Sequence, residues 1–500
     1  MTSITAAKST HRLPWYDLIF INLFWLGLNV RNTAVGSLFV PYLVALYAPA
    51  DWKNTALSAM STAGLVIAMI VQPLAGLASD RSTSRYGRRR PFIIVGTMLD
   101  LVFLVAISLS GNYWTLLVAV LLIQFSANIS HGPLQGVIPD LVPKDQRGRA
   151  SSIKALFELL PIFVVGISIA KMLGAGHLGW AIATTGIFLL VTALLTIVTV
   201  KEKQLKEKPK DSFWQPMRRV FYMLGGILAG LAAGLLCGAI LGGVTGLITW
   251  LVAGKDAAIN MIVGVGGVLA MAFAVVIGVW AGASVAFGKN NARAHSSFIW
   301  WIVNRLFFLA AITSLQRFAQ YFFMYSFKID IGQATILFGS LITVVGVGTL
   351  AAAFVGGWLA DRFNKKLLVG WSGILAGVGC VGLLATILVP SASLIYVSGM
   401  ILGVATGLFM TTNWAMGTNL VPAAEAGFYL GVSNLAGAGA GIIGGSIGGP
   451  VADYLNLSTP GLGYFVIFAG YTLLFILSTI SLRYIREQKH PAVFNGGMGA

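Results

Sequence analysis

The chain has 500 residues, of which 57% are hydrophobic and 10% charged, and its net charge is +17. Soluble domains carry about 25% charged residues, and no soluble fold of this size could hide so much apolar side chain, so the solvent for that surface must be a bilayer. The positive charge lies in short runs between apolar stretches, which excludes nucleic acid as the expected partner.

No apolar core precedes Trp15, so no cleavable signal is visible. A helix needs about 20 residues to cross roughly 30 Å of hydrocarbon. On that measure, spans are predicted at 17–47, 54–79, 91–110, 113–137, 149–173 and 178–200. A charged linker, Lys201 to Arg219, follows. Two further spans, 220–252 and 258–288, precede a second short linker, and six more lie at 297–325, 332–358, 366–389, 393–420, 426–452 and 461–483. The predicted domains are therefore 1–200, a first six-helix bundle; 201–296, the linker with an inserted hairpin; and 297–500, a second six-helix bundle.

Charge asymmetry orients this count. Of the 33 Lys and Arg, Arg31, Lys154, Arg305 and Arg317 fall inside spans, and Lys53, Lys171, Lys255 and Lys328 fall at the opposite ends; the other 25 gather on one side. That side is expected to be cytoplasmic, with both termini there, in a multi-pass protein of a bacterial-type plasma membrane. Cys237 and Cys380 lie in apolar runs, so neither a structural disulfide nor a metal site is expected, and no cofactor motif is found.

The halves repeat. Gly76-x-x-x-Asp80-Arg81 follows the second span and leads to Gly87-Arg88-Arg89-Arg90-Pro91. Gly357-x-x-x-Asp361-Arg362 stands at the matching place in the second half, 281 residues on. Pro139-Asp140-Leu141-Val142-Pro143 is matched by Thr418-Asn419-Leu420-Val421-Pro422 at an offset of 279. Two matches at nearly one offset describe a duplicated six-helix unit. Asp80 can cap a neighbouring helix or pair with a basic residue across its loop. The motif residues are expected to gate rather than to bind.

With these motifs the chain resembles the major facilitator superfamily, whose signature is this glycine, aspartate and arginine pattern between the second and third helices. Its loop is further similar to that of sucrose–proton symporters and of glycoside–pentoside–hexuronide symporters. The resemblance implies an all-α membrane protein of the major facilitator fold, with two six-helix bundles around a central cavity, a two-helix insert, and fourteen transmembrane helices in total. It also implies alternating access, a sugar or glycoside substrate, and a coupling cation, expected to be a proton.

Ionisable groups within hydrocarbon cost about 2.5–3.5 kcal/mol on insertion scales and usually face a cavity. Arg31, Asp100, Glu158, Arg305 and Arg317 are the mid-span candidates, with Lys154 one turn before Glu158. Trp25 and Asn29 accompany Arg31; Asn304, Gln316 and Gln320 accompany the later arginines, and Asn413 joins the set. Gln124, Asn128, His131 and Gln135 step by 4, 3 and 4 along one helical face. Helix–helix hydrogen bonding would explain that stripe equally well. Phe24, Trp25, Tyr321, Phe409 and Trp414 could stack on a sugar ring, although packing is their commoner use. Glu158 is expected to carry the coupling proton and to communicate with Arg31, which would orient substrate; Asp100 is expected on a peripheral helix.

In the insert, Gly226, Gly230, Gly234, Gly238, Gly242 and Gly246 recur at every fourth position, a face for close helix packing. An accessory hairpin packing on itself is the plainer reading; self-association is the alternative. The function expected is cation-coupled uptake of a sugar, glycoside or similar small polar solute. The alternative is an exporter or exchanger of amphipathic or anionic compounds. A non-transporting membrane chaperone or receptor on the same fold is the third reading, and no motif supports an enzyme.

Overall fold

The computed structural model describes residues 12–143, 145–200, 202, 204–205, 214–287, 292–293, 295–420 and 426–486; both termini lie outside them. The described residues form long helices. The first six are α1 (Trp15–Tyr47), α2 (Lys53–Asp80), α3 (Arg90–Ser108), α4 (Tyr113–Leu141), α5 (Arg147–Gly174) and α6 (Leu178–Thr199). Two more, α7 (Trp214–Ala253) and α8 (Lys255–Phe287), precede α9 (Ser296–Phe327), α10 (Ile331–Arg362), α11 (Lys365–Ala385), α12 (Ala392–Asn419), α13 (Ala426–Ser458) and α14 (Leu462–Ser481). Thirteen of these helices are apolar and long enough to cross a bilayer. The remaining one, α13, contains the run predicted at 426–452. The expected all-α architecture is thus what the chain adopts.

Local chemistry sets the helix ends. Asn112 accepts hydrogen bonds from the amides of Trp114 and Thr115 at the start of α4, in a capping box with Thr115. Asp330, Asn364 and Ser391 cap α10, α11 and α12 in the same manner. Within α1 a π-turn at Val35–Phe39 precedes Pro41. Proline has no amide hydrogen, so the Ser37 carbonyl loses its usual helical donor. Gln320 of α9 supplies one instead, at 2.6 Å.

The insert packs on itself. The glycine face of α7 lies against α8 so closely that a Cβ on Gly230 would stand 2.2 Å from the Gly278 Cα. That face is occupied by α8 at Gly226, Gly230, Gly234, Gly238, Gly242 and Gly246. At 40 residues, α7 is about 60 Å long, and its apolar part begins at Leu224. The hairpin rests on α9, α13 and α14. Leu224 and Ile227 of α7 also meet Met69 of α2 and Ile442 of α13, touching both halves at their seam.

The halves meet at the end of the bundle opposite the Asp80 loop, hereafter the far end. There Gln320 reaches Ser37, Tyr321 donates to the Pro41 carbonyl at 2.8 Å, and Thr62 shares a hydrogen bond with Ser446 at 2.9 Å. The stretch of α5 from Ile162 to Gly174 packs on α10. Towards the motif end, Leu156 and Glu158 of α5 are exposed, as are Val347, Phe354 and Val355 of α10. Among the described residues, α5 and α10 thus pack together at the far end and part toward the motif end.

Candidate functional site

At the motif end, Asp80 pairs with Arg89 at 2.6 Å, the cross-loop pairing the sequence allowed. Arg89 is mostly buried; it also holds Asp140 at 3.0 Å and donates to the Ser79 hydroxyl at 2.7 Å. Arg88 reaches Asp140 as well. Burial opposes the Arg88 charge, but its hydrogen bond and attraction to Asp140, with Asp80 and Glu202 beyond, outweigh that and hold the guanidinium above its ordinary range. Glu202 accepts from the Arg89 amide at 2.7 Å, which caps α3. Gly87, at φ 100°, presses so near that any Cβ would meet the Glu202 carboxylate at 2.5 Å. One acidic and arginine cluster thus ties α2, α3, α4 and the linker together, with Gly76 where α2 approaches α4. Arg81, half-buried, stands at the C-terminal end of α2.

The second copy is different. Asp361 and Arg362 are exposed, Arg362 stacks on Trp358 at 4.3 Å, and Asp361 has no ion pair among the described residues. Its loop is too short for a counterpart of Arg89, because α11 begins three residues after Arg362, just past Gly357-x-x-x-Asp361. Residues 421–425, in the second Leu-Val-Pro match, lie outside the described set.

Within the first half, the expected contact between Arg31 and Glu158 is not made. Arg31 instead pairs with Asp100 at 3.0 Å, both side chains 2% exposed or less. Ser126 also donates to Asp100, and Arg31 donates to Asn32 at 2.7 Å and to the Ile123 carbonyl. The reason is packing: α3 turns its Asp100 face onto α4, where Gly96 lets it approach Ser130 closely. Asp100 is therefore internal rather than peripheral. Glu158 pairs with Lys154 at 3.1 Å, and its side chain is 39% exposed. Lys154 also sits 4.2 Å over the Trp25 ring, which makes a T-shaped contact with His131 at 5.3 Å between ring centres. Trp25, His131, Lys154 and Glu158 thus form one cluster on α1, α4 and α5.

The stripe on α4 divides. Gln124 lies under Gly64 of α2, and Asn128 donates to the Gln124 carbonyl at 2.7 Å. His131 joins Trp25, and Gln135 is exposed. Asn29 donates back to the Trp25 carbonyl at 2.8 Å. Among the aromatics, Phe24 is buried and Phe409 stacks on Phe308 at 3.7 Å; both are core packing.

In the second half, Arg305 donates to Asn413 at 3.4 Å and stands 5.1 Å over the Trp414 ring and 6.0 Å from Trp301. The Asn413 amide is oriented by its own bond to Asn304 at 2.8 Å, and Asn304 is held by Ser478. The Trp301 indole donates to the Asn413 carbonyl at 3.0 Å. Ser478 and Trp301 were not singled out from sequence, where a serine and a tryptophan inside spans carry no distinct signal. Arg317 donates to the Gly441 carbonyl at 3.2 Å near the seam, and Gln316 is exposed. Tyr321 and Gln320 both donate to carbonyls of α1 at the far end.

A further contact was missed altogether. Asp453 of α13 accepts from Asn54 Nδ2 at 2.6 Å, from the Asn54 amide at 3.2 Å and from the Thr55 amide at 2.7 Å. One half thereby caps the first turn of a helix in the other. Lys53, Asp51, Tyr325, Asn456 and Tyr464 share a cavity of about 320 Å³ beside it. The predicted span ended at 452, so Asp453 read as loop.

The sequence profile of the Major Facilitator Superfamily matches residues 26–303 and 306–499. Proton-associated sugar transporter A of Homo sapiens is 34% identical over 165 residues, covering 28% of this chain and 22% of that protein. Sucrose transport protein SUT1 of Oryza sativa subsp. japonica is 34% identical over 139 residues, covering 23% of this chain and 25% of that protein. The chain thus spans about a quarter of the length of these relatives. The crystal structure of a D-xylose-proton symporter superposes with a TM-score of 0.63 at 14% identity, covering 94% of this chain and 98% of that one, a likeness of fold.

Proposed function

Because the chain belongs to the Major Facilitator Superfamily and is a transporter rather than an enzyme, we propose that it takes up a sugar or glycoside together with a proton by alternating access. The names of the two relatives support the substrate class and the coupling ion. The observation that carries the coupling is the contrast between two carboxylates. Asp100 is sealed against Arg31, whereas Glu158 remains half-exposed beside Lys154 where α5 and α10 part. The coupling role proposed for Glu158 rests on that exposure and on Lys154 beside it. The excess of Lys and Arg in the loops on the motif side of the predicted topology supports a cytoplasmic motif end, and with it an inward-facing conformation.

Trp414, half-buried beside Arg305, offers a ring face for a sugar, and the Asp80–Arg89–Asp140 cluster holds the motif end of the first half together. Glu158→Gln is expected to abolish accumulation of solute against its gradient, while exchange of labelled for unlabelled solute continues. Normal proton-driven accumulation by that variant would remove Glu158 from the mechanism. The exposed pair in this reading is the pairing of Glu158 with Lys154; Arg31 has no part in it.

A further inference from the structure

Four cationic side chains lie well inside the predicted spans rather than at their ends: Arg31, Lys154, Arg305 and Arg317. Two carboxylates answer them, and both are in the first half: Asp100 on Arg31 and Glu158 on Lys154. Among the described residues the second half gives its two arginines no carboxylate partner. A charge in the membrane interior without a counter-charge is costly, and such arginines face a cavity or meet an anion. Arg317 is wedged at the seam against Gly441 and Gly445. Arg305 is placed differently. It is partly exposed and stands on the motif-end half of α9. Its single protein hydrogen bond among the described residues is the 3.4 Å contact to Asn413, and its Nε is left with no partner. Trp414 and Trp301 flank the guanidinium and keep it in a low-dielectric wall, where an added anion is bound more strongly than in water.

We propose that Arg305 is an anion-binding residue of the transport cavity, and that the preferred solute carries a carboxylate or comparable single negative charge. Asn413 is a positioning residue: its amide nitrogen is committed to Asn304, so its oxygen faces Arg305 and fixes the guanidinium against Trp414. A planar guanidinium held in that way presents its remaining N–H groups as a fork that suits a carboxylate. The inference rests on the transporter reading above and narrows its substrate class.

The test is ligand-induced thermal stabilisation of the purified full chain, since a bound solute raises the unfolding temperature by mass action. The probes are D-gluconate, its uncharged counterpart sorbitol, sucrose, and hexanoate. D-Gluconate is expected to stabilise at about a tenfold lower concentration than sorbitol, the ratio for a charge-assisted contact of about 1.4 kcal/mol. Arg305→Gln should erase that preference, and Arg305→Lys should keep part of it. Asn413→Asp, which places a carboxylate on Arg305 from within, should also erase it. Equal responses to gluconate and sorbitol, no response to any anion, or a gluconate preference that survives Arg305→Gln would each overturn the inference. A sucrose response in those cases would leave the sugar reading standing. Arg305-dependent stabilisation by hexanoate, with none by sorbitol or sucrose, would uphold the anion site and overturn the sugar reading.

Discussion

Arg31→Gln is expected to destabilise the protein by about 3–5 kcal/mol, because it leaves the Asp100 carboxylate buried without its counter-charge. Only Ser126 would then donate to Asp100, and its second oxygen has no partner even with Arg31 in place. Asp100→Asn should cost a similar amount by stranding the guanidinium. The double variant Arg31→Gln with Asp100→Asn should recover most of the loss, since two neutral amides can hydrogen-bond across α1, α3 and α4 without desolvating a net charge. Thermal unfolding in detergent measures all three. Single variants as stable as the parent, or a double variant no better than the worse single, would contradict a structural ion pair at this position. The pair is thereby assigned to holding the first bundle together, and a double variant that is stable should also still transport.

Asp453→Ala is expected to release the far end. The carboxylate accepts from two first-turn amides and one side-chain amide of α2, and helix N-termini favour negative charge. Charge-assisted hydrogen bonds contribute about 1.5–3 kcal/mol each against an unmade state. Water replaces part of that once the seam opens, so a net shift of about 1.4 kcal/mol, or tenfold in population, is expected. Thr62→Cys reports it, because Thr62 faces Ser446 across the same seam. With Cys237 replaced by alanine and Cys380 buried, a membrane-impermeant maleimide added from the far side should label position 62 about tenfold faster in the Asp453→Ala background. Asp453→Asn, which keeps an acceptor, should fall between. An unchanged labelling rate would show that the far end is held by packing alone.

How much was legible in the sequence follows from the range over which each feature acts. The spans were readable because a helix in hydrocarbon must satisfy its backbone internally and be apolar for about 20 residues, a local property. The Asp80–Arg89 pairing was readable because loop and motif are adjacent. The glycines of α7 showed that something must approach closely; the hairpin geometry showed that α8 is the partner. By contrast, Arg31 and Asp100 are 69 residues apart and meet only through the packing of α1, α3 and α4. Composition indicated that Arg31 needs a partner but not which carboxylate supplies it, so Glu158 was chosen where Asp100 serves. Asp453 and Asn54 are 399 residues apart, and neither lies in a recognisable motif. The role of Asn413 likewise depends on the Asn304–Ser478 contact, which no spacing reveals. Helix placement was therefore local information, whereas the polar contacts inside and between the bundles were tertiary.

The central claim, proton-coupled sugar transport, is tested most directly by purified protein in proteoliposomes loaded at high internal pH and diluted into acidic buffer with labelled sucrose. Sucrose is expected to accumulate above its external concentration while the proton gradient lasts and to leak back when a protonophore collapses it. Uptake that equilibrates without regard to the gradient would contradict the account.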